Sequence, residues 1–270
     1  MASTHETLYY KNSAIFNTIG YIMVIVINAM AGSSMINNLS PAEVSEKYES
    51  LFVPAALTFS IWGLIYLSLL GFIIYQLWLA FSGHHQQELE IFMERLRGWW
   101  LISCLANSCW LFAWHYELLP LSFLLILTLL VCLLAINLNF NIALPQAHST
   151  RAEKLLIHLP FSLYLGWICI AAIGNMAALF VYAGLDMNSI PWTIFLILLS
   201  TVASTVLIIR RYNIIAGLVA LWALYGIILK RQTVHGADAG PVITTCITAM
   251  SVITLTGVWR IMKRPSSVIP

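Results

Sequence analysis

The sequence LLIHLPFSLYLGWICIAAIGNMAALFVY, residues 155–182, contains no Asp, Glu, Lys or Arg. The hydrocarbon core of a bilayer is about 30 Å thick, and an α-helix needs about 20 apolar residues to cross it. Backbone groups in lipid have no water to bind, so they must be hydrogen-bonded within the chain. A run of this length and composition therefore predicts a transmembrane helix.

The rest of the chain has the same character. Hydrophobic residues make up 60% of the 270 positions and charged residues only 9%, whereas a soluble surface needs about 25% charged residues. This balance excludes an ordinary soluble protein and predicts an all-α, polytopic transmembrane bundle of about eight spans. The predicted spans are residues 14–36, 56–80, 98–115, 121–143, 155–182, 190–209, 212–229 and 240–262.

The distribution of basic residues predicts the orientation of these spans. With eight spans, ten of the 13 Lys and Arg residues fall on the side that holds the N-terminus, and only Lys47, Lys230 and Arg231 fall on the other side. Because basic loops stay in the cytoplasm, we expect a multi-pass protein with both termini cytoplasmic. The net charge of +2 is dispersed over these loops, so nucleic acid is not an expected partner.

Three predicted spans carry aromatic, amide and small side chains on one helical face. Residues spaced by 3, 4, 7 or 11 positions project in the same direction from an α-helix. Such faces suit a pocket for a flat, mostly apolar ligand that has one or two polar atoms. The residues are Trp62 and Tyr66; Asn107, Trp110 and Trp114; and Tyr164, Trp167, Ala171 and Asn175.

Each of these residues also has a simpler interpretation. Trp and Tyr occupy the interfacial belts of many membrane proteins, which is how we interpret Trp78, Trp99, Trp100 and Trp259. For the mid-span Trp167, core packing and ligand contact both remain open. The amides of Asn107 and Asn175 must face the bundle or a cavity, where neighbouring helices or a ligand satisfy them. The polar loop 37–50 is long enough to fold over a pocket mouth.

The sequence offers little for catalysis or metal binding. No Asp, Glu, Lys or Arg lies well inside a predicted span, which removes the usual elements of a pump or proton relay. The five cysteines all fall inside spans without a CxxC spacing, so we expect neither disulfides nor a metal site. His115 and His158 lie near span ends, where a hydrogen-bonded histidine is more common than a haem ligand. We therefore predict no enzyme, no metal site and no resident cofactor.

The same stripes carry a family resemblance. The stretch from Pro54 to Tyr66, PAALTFSIWGLIY, resembles the motif at the start of the second helix of the TspO family of translocator and tryptophan-rich sensory proteins. Asn107 to Trp114, NSCWLFAW, is similar to its third-helix motif, with Trp114 in place of the usual phenylalanine. Tyr164 to Asn175, YLGWICIAAIGN, is similar to its fifth-helix motif. Together the matches cover about residues 55–180.

The resemblance implies a five-helix ligand-binding module at residues 1–185, followed by three further helices at 186–270 whose role it does not address. It implies a receptor or sensor for porphyrin-type tetrapyrroles, bound among helices two to five. Haem is a further candidate ligand, and sterols rank lower because Val181-Tyr182 is not followed by a nearby basic residue. Trp62, Asn107, Trp167 and Ala171 match pocket positions of the family.

Two functions from different classes follow from these observations. The first is a membrane receptor; the alternative is a transporter of tetrapyrroles or other small hydrophobic molecules, with spans six to eight completing its path. A weak porphyrin-degrading activity has been associated with the family, although no residue here indicates it. The expected partners are the lipid bilayer and a small hydrophobic ligand, with a homodimer as a further candidate.

The charge distribution generates a direct test of topology. Reporter tags fused before Met1 and after Pro270 should both report a cytoplasmic location, because an even number of spans returns the chain to its starting side. A tag inserted between Asn37 and Asn38 should report the opposite side. Tags at the two termini that report opposite sides would contradict the eight-span arrangement.

Overall fold

The all-α prediction is confirmed. The computed structural model describes residues 4–48, 50–145, 149–233 and 239–263, and within these ranges the chain forms helices and no strands. A 3₁₀ helix, Ala56–Ser60, precedes α3, and a π-helical turn, Lys154–His158, joins α7 to α8. The α-helices are α1 (Thr4–Gly32), α2 (Pro41–Lys47), α3 (Ile61–Phe81), α4 (Gln86–Leu96), α5 (Trp99–His115), α6 (Leu119–Asn139), α7 (Arg151–Glu153), α8 (Leu159–Tyr182), α9 (Ile190–Arg211), α10 (Ile214–Thr233) and α11 (Ala239–Met262).

Within the described ranges, seven helical segments are long and apolar enough to cross a membrane, and all seven coincide with predicted spans. The remaining predicted span is α5, whose 17 residues are at the lower end of the spanning range. Residues 86–96, which lie between two predicted spans, form the amphipathic helix α4. It buries Leu89, Phe92, Met93 and Leu96 against the bundle.

Local sequence explains where several helices begin. Proline is tolerated in the first turn of a helix, where its missing N–H has no intrahelical partner. Pro41, Pro120, Pro160 and Pro191 occupy that first turn in α2, α6, α8 and α9. Ser40 caps α2, since its side chain accepts from the backbone N–H of Glu43 while the Glu43 carboxylate accepts from the Ser40 N–H. This reciprocal pair fixes the start of α2.

Contacts between helix ends show that the described chain starts and finishes at one end of the bundle. One contact joins α1 to α3, and the others join α4 to α6, α6 to α9, and α11 to the residue that follows α9. The short connection 82–85 links α3 to α4. Which membrane face this end occupies stays a prediction. The contacts are Lys11 Nζ with the Phe81 ring (6.0 Å), Asn139 Nδ2 with Arg95 O (2.8 Å), Arg211 Nη2 with Asn137 O (2.8 Å) and the Arg260 guanidinium with the Tyr212 ring (3.6 Å).

Helix α8 is the centre of the bundle and packs against α3, α6, α9 and α10. Its contact with α10 is close because Gly166 has no side chain. A Cβ added at Gly166 would lie 2.9 Å from Ala216 Cα and 3.1 Å from Ala216 O. The helices after residue 185 thus pack directly on the predicted five-helix module. The division into two domains at that residue stays a prediction.

Replacing Gly166 by Val should destabilise the protein, because a β-branched side chain would force α8 and α10 apart. Overpacking of this kind typically costs about 1–3 kcal/mol. Thermal unfolding in detergent, followed by circular dichroism, measures the change. The control is Gly240→Val in α11, where nothing lies within 4 Å of an added Cβ; equal melting temperatures for the two variants would contradict the close α8–α10 contact.

Candidate ligand-binding site

The three sequence stripes converge on the indole ring of Trp62. Its ring centroid lies 5.3 Å from that of Tyr66, in a stacked arrangement. The rings of Trp110, Tyr164 and Trp167 lie 6.2, 6.0 and 6.1 Å away. These separations are within the 4.5–7 Å range at which aromatic rings attract each other. The structure therefore brings α3, α5 and α8 together through aromatic contacts.

A cavity of about 70 Å³ lies beside this aromatic cluster, between α3, α5, α8 and the segment before α3. Its walls are almost entirely apolar. Six of the nine residues predicted from the sequence line it, which supports the sequence hypothesis without testing it for ligand binding. These residues are Trp62, Trp110, Trp114, Trp167, Ala171 and Asn175.

The other three predicted residues lie behind Trp62 and not in the cavity wall. Asn107 is fully buried and accepts a hydrogen bond from Asn28 Nδ2 at 2.8 Å. Its own amide nitrogen donates to the hydroxyl of Tyr164 at 3.0 Å. Tyr66 stacks on Trp62 and lines a separate, more open cavity together with it. Because Asn107 is hydrogen-bonded to α1 through its oxygen and to α8 through its nitrogen, it joins these helices and does not line the cavity.

Two indole N–H groups in the cavity wall have no hydrogen-bond partner within the described chain, namely those of Trp110 and Trp167. Only 5% and 3% of these side chains are exposed. The Trp114 indole, in contrast, donates to Pro41 O at 3.2 Å. A buried donor without a partner costs about 1–3 kcal/mol, so the two free indoles are natural donors for an acceptor atom of a ligand.

Asn175 adds one amide to this mostly apolar wall. Its Oδ1 accepts a hydrogen bond from the Ser122 hydroxyl at 3.0 Å, which orients the amide plane. Ser122 lies in α6, so this contact also joins the fourth predicted span to the site. The amide nitrogen makes no hydrogen bond to a described residue.

The connection between α1 and α3 closes the cavity on the side opposite the chain termini. We refer to residues 41–48 and 50–54 as the cover. Sequence reasoning predicted a loop of this kind but none of its individual contacts, because the loop has no helical periodicity. The cover residues in the cavity wall are Pro41, Ser45, Tyr48, Ser50, Phe52, Val53 and Pro54.

Polar contacts hold α2 of the cover in place. Lys47 Nζ lies 2.5 Å from one carboxylate oxygen of Glu117, and the Tyr48 hydroxyl donates to the other at 2.9 Å. Hydrogen bonds from Lys47 and then Tyr48 keep the pKa of Glu117 below its usual value, while burial and Glu117 raise the pKa of Tyr48. A second ion pair joins Glu46 to Lys230 of α10 at 3.0 Å.

The described cavity wall contains no His, Cys, Asp or Glu side chain, and these are the most common metal ligands in proteins. In the described part of the chain, no three His, Cys, Asp or Glu side chains are grouped to hold an ion. His115 is buried, with Nδ1 2.7 Å from Leu111 O, and His158 Nδ1 accepts from the Ala143 N–H at 3.3 Å. Both rings have local hydrogen bonds and neither lines the cavity.

Comparison with known proteins gives one match. A family model described as TSPO-like protein matches residues 14–259, which is most of the chain. The matched region extends beyond the motifs at 55–180 and includes most of α11. No curated protein and no solved structure matches the chain.

Replacing Glu117 by Gln should loosen the cover, because the Lys47 ion pair and the charged acceptor of Tyr48 are both lost. Exposed ion pairs are worth about 0.2–1 kcal/mol, so hydrogen exchange of the 41–48 amides should rise by roughly two- to five-fold. Hydrogen exchange with mass spectrometry at pH 7 measures it. Glu94→Gln in α4, whose carboxylate makes no described ion pair, is the control.

The same contact predicts the pH response of the cover. Hydrogen bonds from Lys47 and Tyr48 lower the pKa of Glu117 in the folded state, so its stabilising contribution is present at neutral pH and is lost as the pH falls from the ordinary range of a glutamate through that lowered pKa. Exchange of the 41–48 amides, corrected for intrinsic rates, should rise in the parent over that pH range. The same acid-induced rise in Glu117→Gln would show that another group controls the cover.

Proposed function

The chain belongs to the TSPO-like protein family, and on this basis we propose that it is a membrane receptor or sensor for flat hydrophobic ligands, most specifically porphyrin-type tetrapyrroles. Family membership supports a multi-pass membrane protein with a sensor or ligand-binding role, but it does not identify the ligand. The proposed ligand class rests on the cavity, whose wall contains Trp62, Trp110, Trp114 and Trp167.

The chemistry of this wall suits a tetrapyrrole. A porphyrin presents a broad π-surface that stacks on indole rings, and its carboxylate side chains accept hydrogen bonds. The unpartnered N–H groups of Trp110 and Trp167 are donors for such acceptors. Asn175 supplies an amide in the same wall. The wall thus combines a large apolar area with a few placed polar groups, as small-molecule pockets generally do.

Binding of so large a ligand requires the cover to move. The cavity encloses about 70 Å³, whereas small-molecule pockets measure about 300–1,000 Å³. The spanning helices are held by extensive apolar packing, whereas the short α2 is held by the buried Val44, by the Trp114–Pro41 hydrogen bond and by the Glu117 and Lys230 contacts at its C-terminal end. Outward movement of the cover is therefore the change that enlarges the cavity at the lowest cost.

Binding is proposed without turnover. The family is generally non-enzymatic, and the described cavity wall contains no His, Cys, Asp, Glu, Lys or Arg. The wall therefore offers no histidine, thiol or carboxylate as a general base or as an axial ligand for iron, and the hydroxyl of Tyr48 is hydrogen-bonded to Glu117. Recognition would rest on the ring surface and its carboxylates, so that metal-free protoporphyrin IX is the appropriate probe.

Replacing Trp167 by Ala should weaken the binding of protoporphyrin IX. Stacking of a flat ring on an aromatic side chain is worth roughly 1–3 kcal/mol, taken here from nucleobase stacking, so the dissociation constant should rise about ten-fold or more. Tryptophan fluorescence quenching in detergent measures binding. The control is Trp259→Ala, because Trp259 lies in the last turns of α11, outside the cavity wall.

Ala171→Thr provides a second variant in the same wall. The added hydroxyl and methyl groups would occupy cavity space one turn from Trp167, and affinity should fall while the melting temperature stays near that of the parent. If Trp167→Ala and Ala171→Thr both bind like the parent, the ligand lies elsewhere. Accumulation of protoporphyrin IX inside proteoliposomes would favour the transporter alternative.

A further inference from the structure

Helix α10 is hydrogen-bonded to the segment that leads into α3. The Ala55 N–H donates to the backbone carbonyl of Gly226 at 2.9 Å. One turn earlier in α10, the indole N–H of Trp222 donates to the carbonyl of Thr58 at 3.0 Å. These two bonds connect positions more than 160 residues apart in the chain. They tie the 3₁₀ helix at 56–60 to one of the three helices that follow residue 185.

The absence of a side chain at Gly226 makes this approach close. A Cβ added there would lie 1.9 Å from Thr58 Oγ1, 2.9 Å from Thr58 Cβ and 3.0 Å from Thr58 Cγ2. Real Cβ atoms essentially never approach other heavy atoms within 3.0 Å, so any other residue at 226 would displace the Thr58 segment. Thr58 is itself 1% exposed. The position of the 3₁₀ helix therefore depends on the absence of a side chain at Gly226 of α10.

The segment held in this way is part of the cavity wall. Val53 and Pro54 immediately before it, and Phe59 next to Thr58, all line the cavity. The Phe59 ring contacts the Trp167 ring edge to face, with centroids 5.9 Å apart. Displacing Thr58 would therefore move Phe59, and with it the Trp167 ring that we propose to stack on the ligand.

A third contact extends from α10 to the far part of the cover. Lys230, one turn beyond Gly226, forms the ion pair with Glu46 of α2. Trp222, Gly226 and Lys230 are spaced four residues apart, so they lie along one face of α10. This face meets the 3₁₀ helix at one level and α2 at the next.

We propose that Trp222, Gly226 and Lys230 are positioning residues for the ligand site, through which α10 sets the location of the Phe59 wall and of the cover. This inference rests on the proposed function for its effect on ligand affinity. It gives α10 a role in forming the site, although its residues do not line the cavity themselves. The three helices after residue 185 would then belong to the binding machinery.

The experiment compares Gly226→Ala with the parent by two independent measurements. The first is hydrogen exchange of the 50–60 segment without ligand, which should accelerate by about five-fold or more, because the new methyl group separates α10 from Ala55 and Thr58. The second is fluorescence titration with protoporphyrin IX, whose dissociation constant should rise by about three- to ten-fold. The exchange measurement requires no ligand, so it tests the α10 contact even if the parent binds no porphyrin.

Three further variants separate positioning from general destabilisation. Thr58→Gly in the Gly226→Ala background removes all three Thr58 atoms that the methyl group would meet, so it should restore affinity. Trp222→Phe keeps an aromatic ring, smaller than the indole, but removes the N–H donor, and should weaken binding while the melting temperature stays near that of the parent. Gly240→Ala makes the same change in α11 with no atom within 4 Å, so it should match the parent.

Two outcomes would overturn the inference. The first is unchanged exchange of residues 50–60 in Gly226→Ala. The second is lost affinity in Gly226→Ala that Thr58→Gly does not restore, together with a fall in melting temperature, which would indicate a purely structural role. A parent that binds no protoporphyrin IX, with exchange accelerated in Gly226→Ala, would support the α10 contact and reject the proposed ligand.

Discussion

The need to satisfy polar groups inside a membrane constrains every other feature of this protein. A buried amide in lipid must find a partner within the bundle, and Asn107 finds two, Asn28 of α1 and Tyr164 of α8. This pair of bonds joins three helices at the level of the aromatic cluster. The indole N–H groups of Trp110 and Trp167 are among the buried polar groups that have no hydrogen-bond partner within the described chain. These two lie in the cavity wall, where the proposed ligand would supply acceptors for them.

The aromatic cluster and the cover have different physical characters. Trp62, which is partly buried, packs against the buried rings of Trp110, Tyr164 and Trp167, and each of these contacts adds to apolar burial. The end of α2 is fixed through Glu117 and Lys230 by ion pairs whose members are partly exposed, and such pairs contribute little each. The proposed site thus combines a packed aromatic wall with a cover that is fixed in part by exposed ion pairs.

The helices that follow residue 185 pack into this arrangement. Gly166 of α8 and Gly226 of α10 each allow a close backbone approach, the first between α8 and α10 and the second between α10 and the segment before α3. The family match runs through most of α11 as well. The division of the chain at residue 185 rests on the sequence motifs and stays a prediction.

The sequence by itself determined the membrane class, the positions of the spans and the stripes that converge on Trp62. Hydropathy and helical periodicity are local properties, so they can be read without the fold. The tertiary structure alone decided that Asn107 is hydrogen-bonded to neighbouring helices and does not line the cavity. It also decided that cover residues such as Tyr48 and Phe52 close the cavity and that α10 holds Thr58. These features depend on partners distant in the chain, whose approach is set by packing and by the absence of a side chain at Gly226, and no local pattern encodes them.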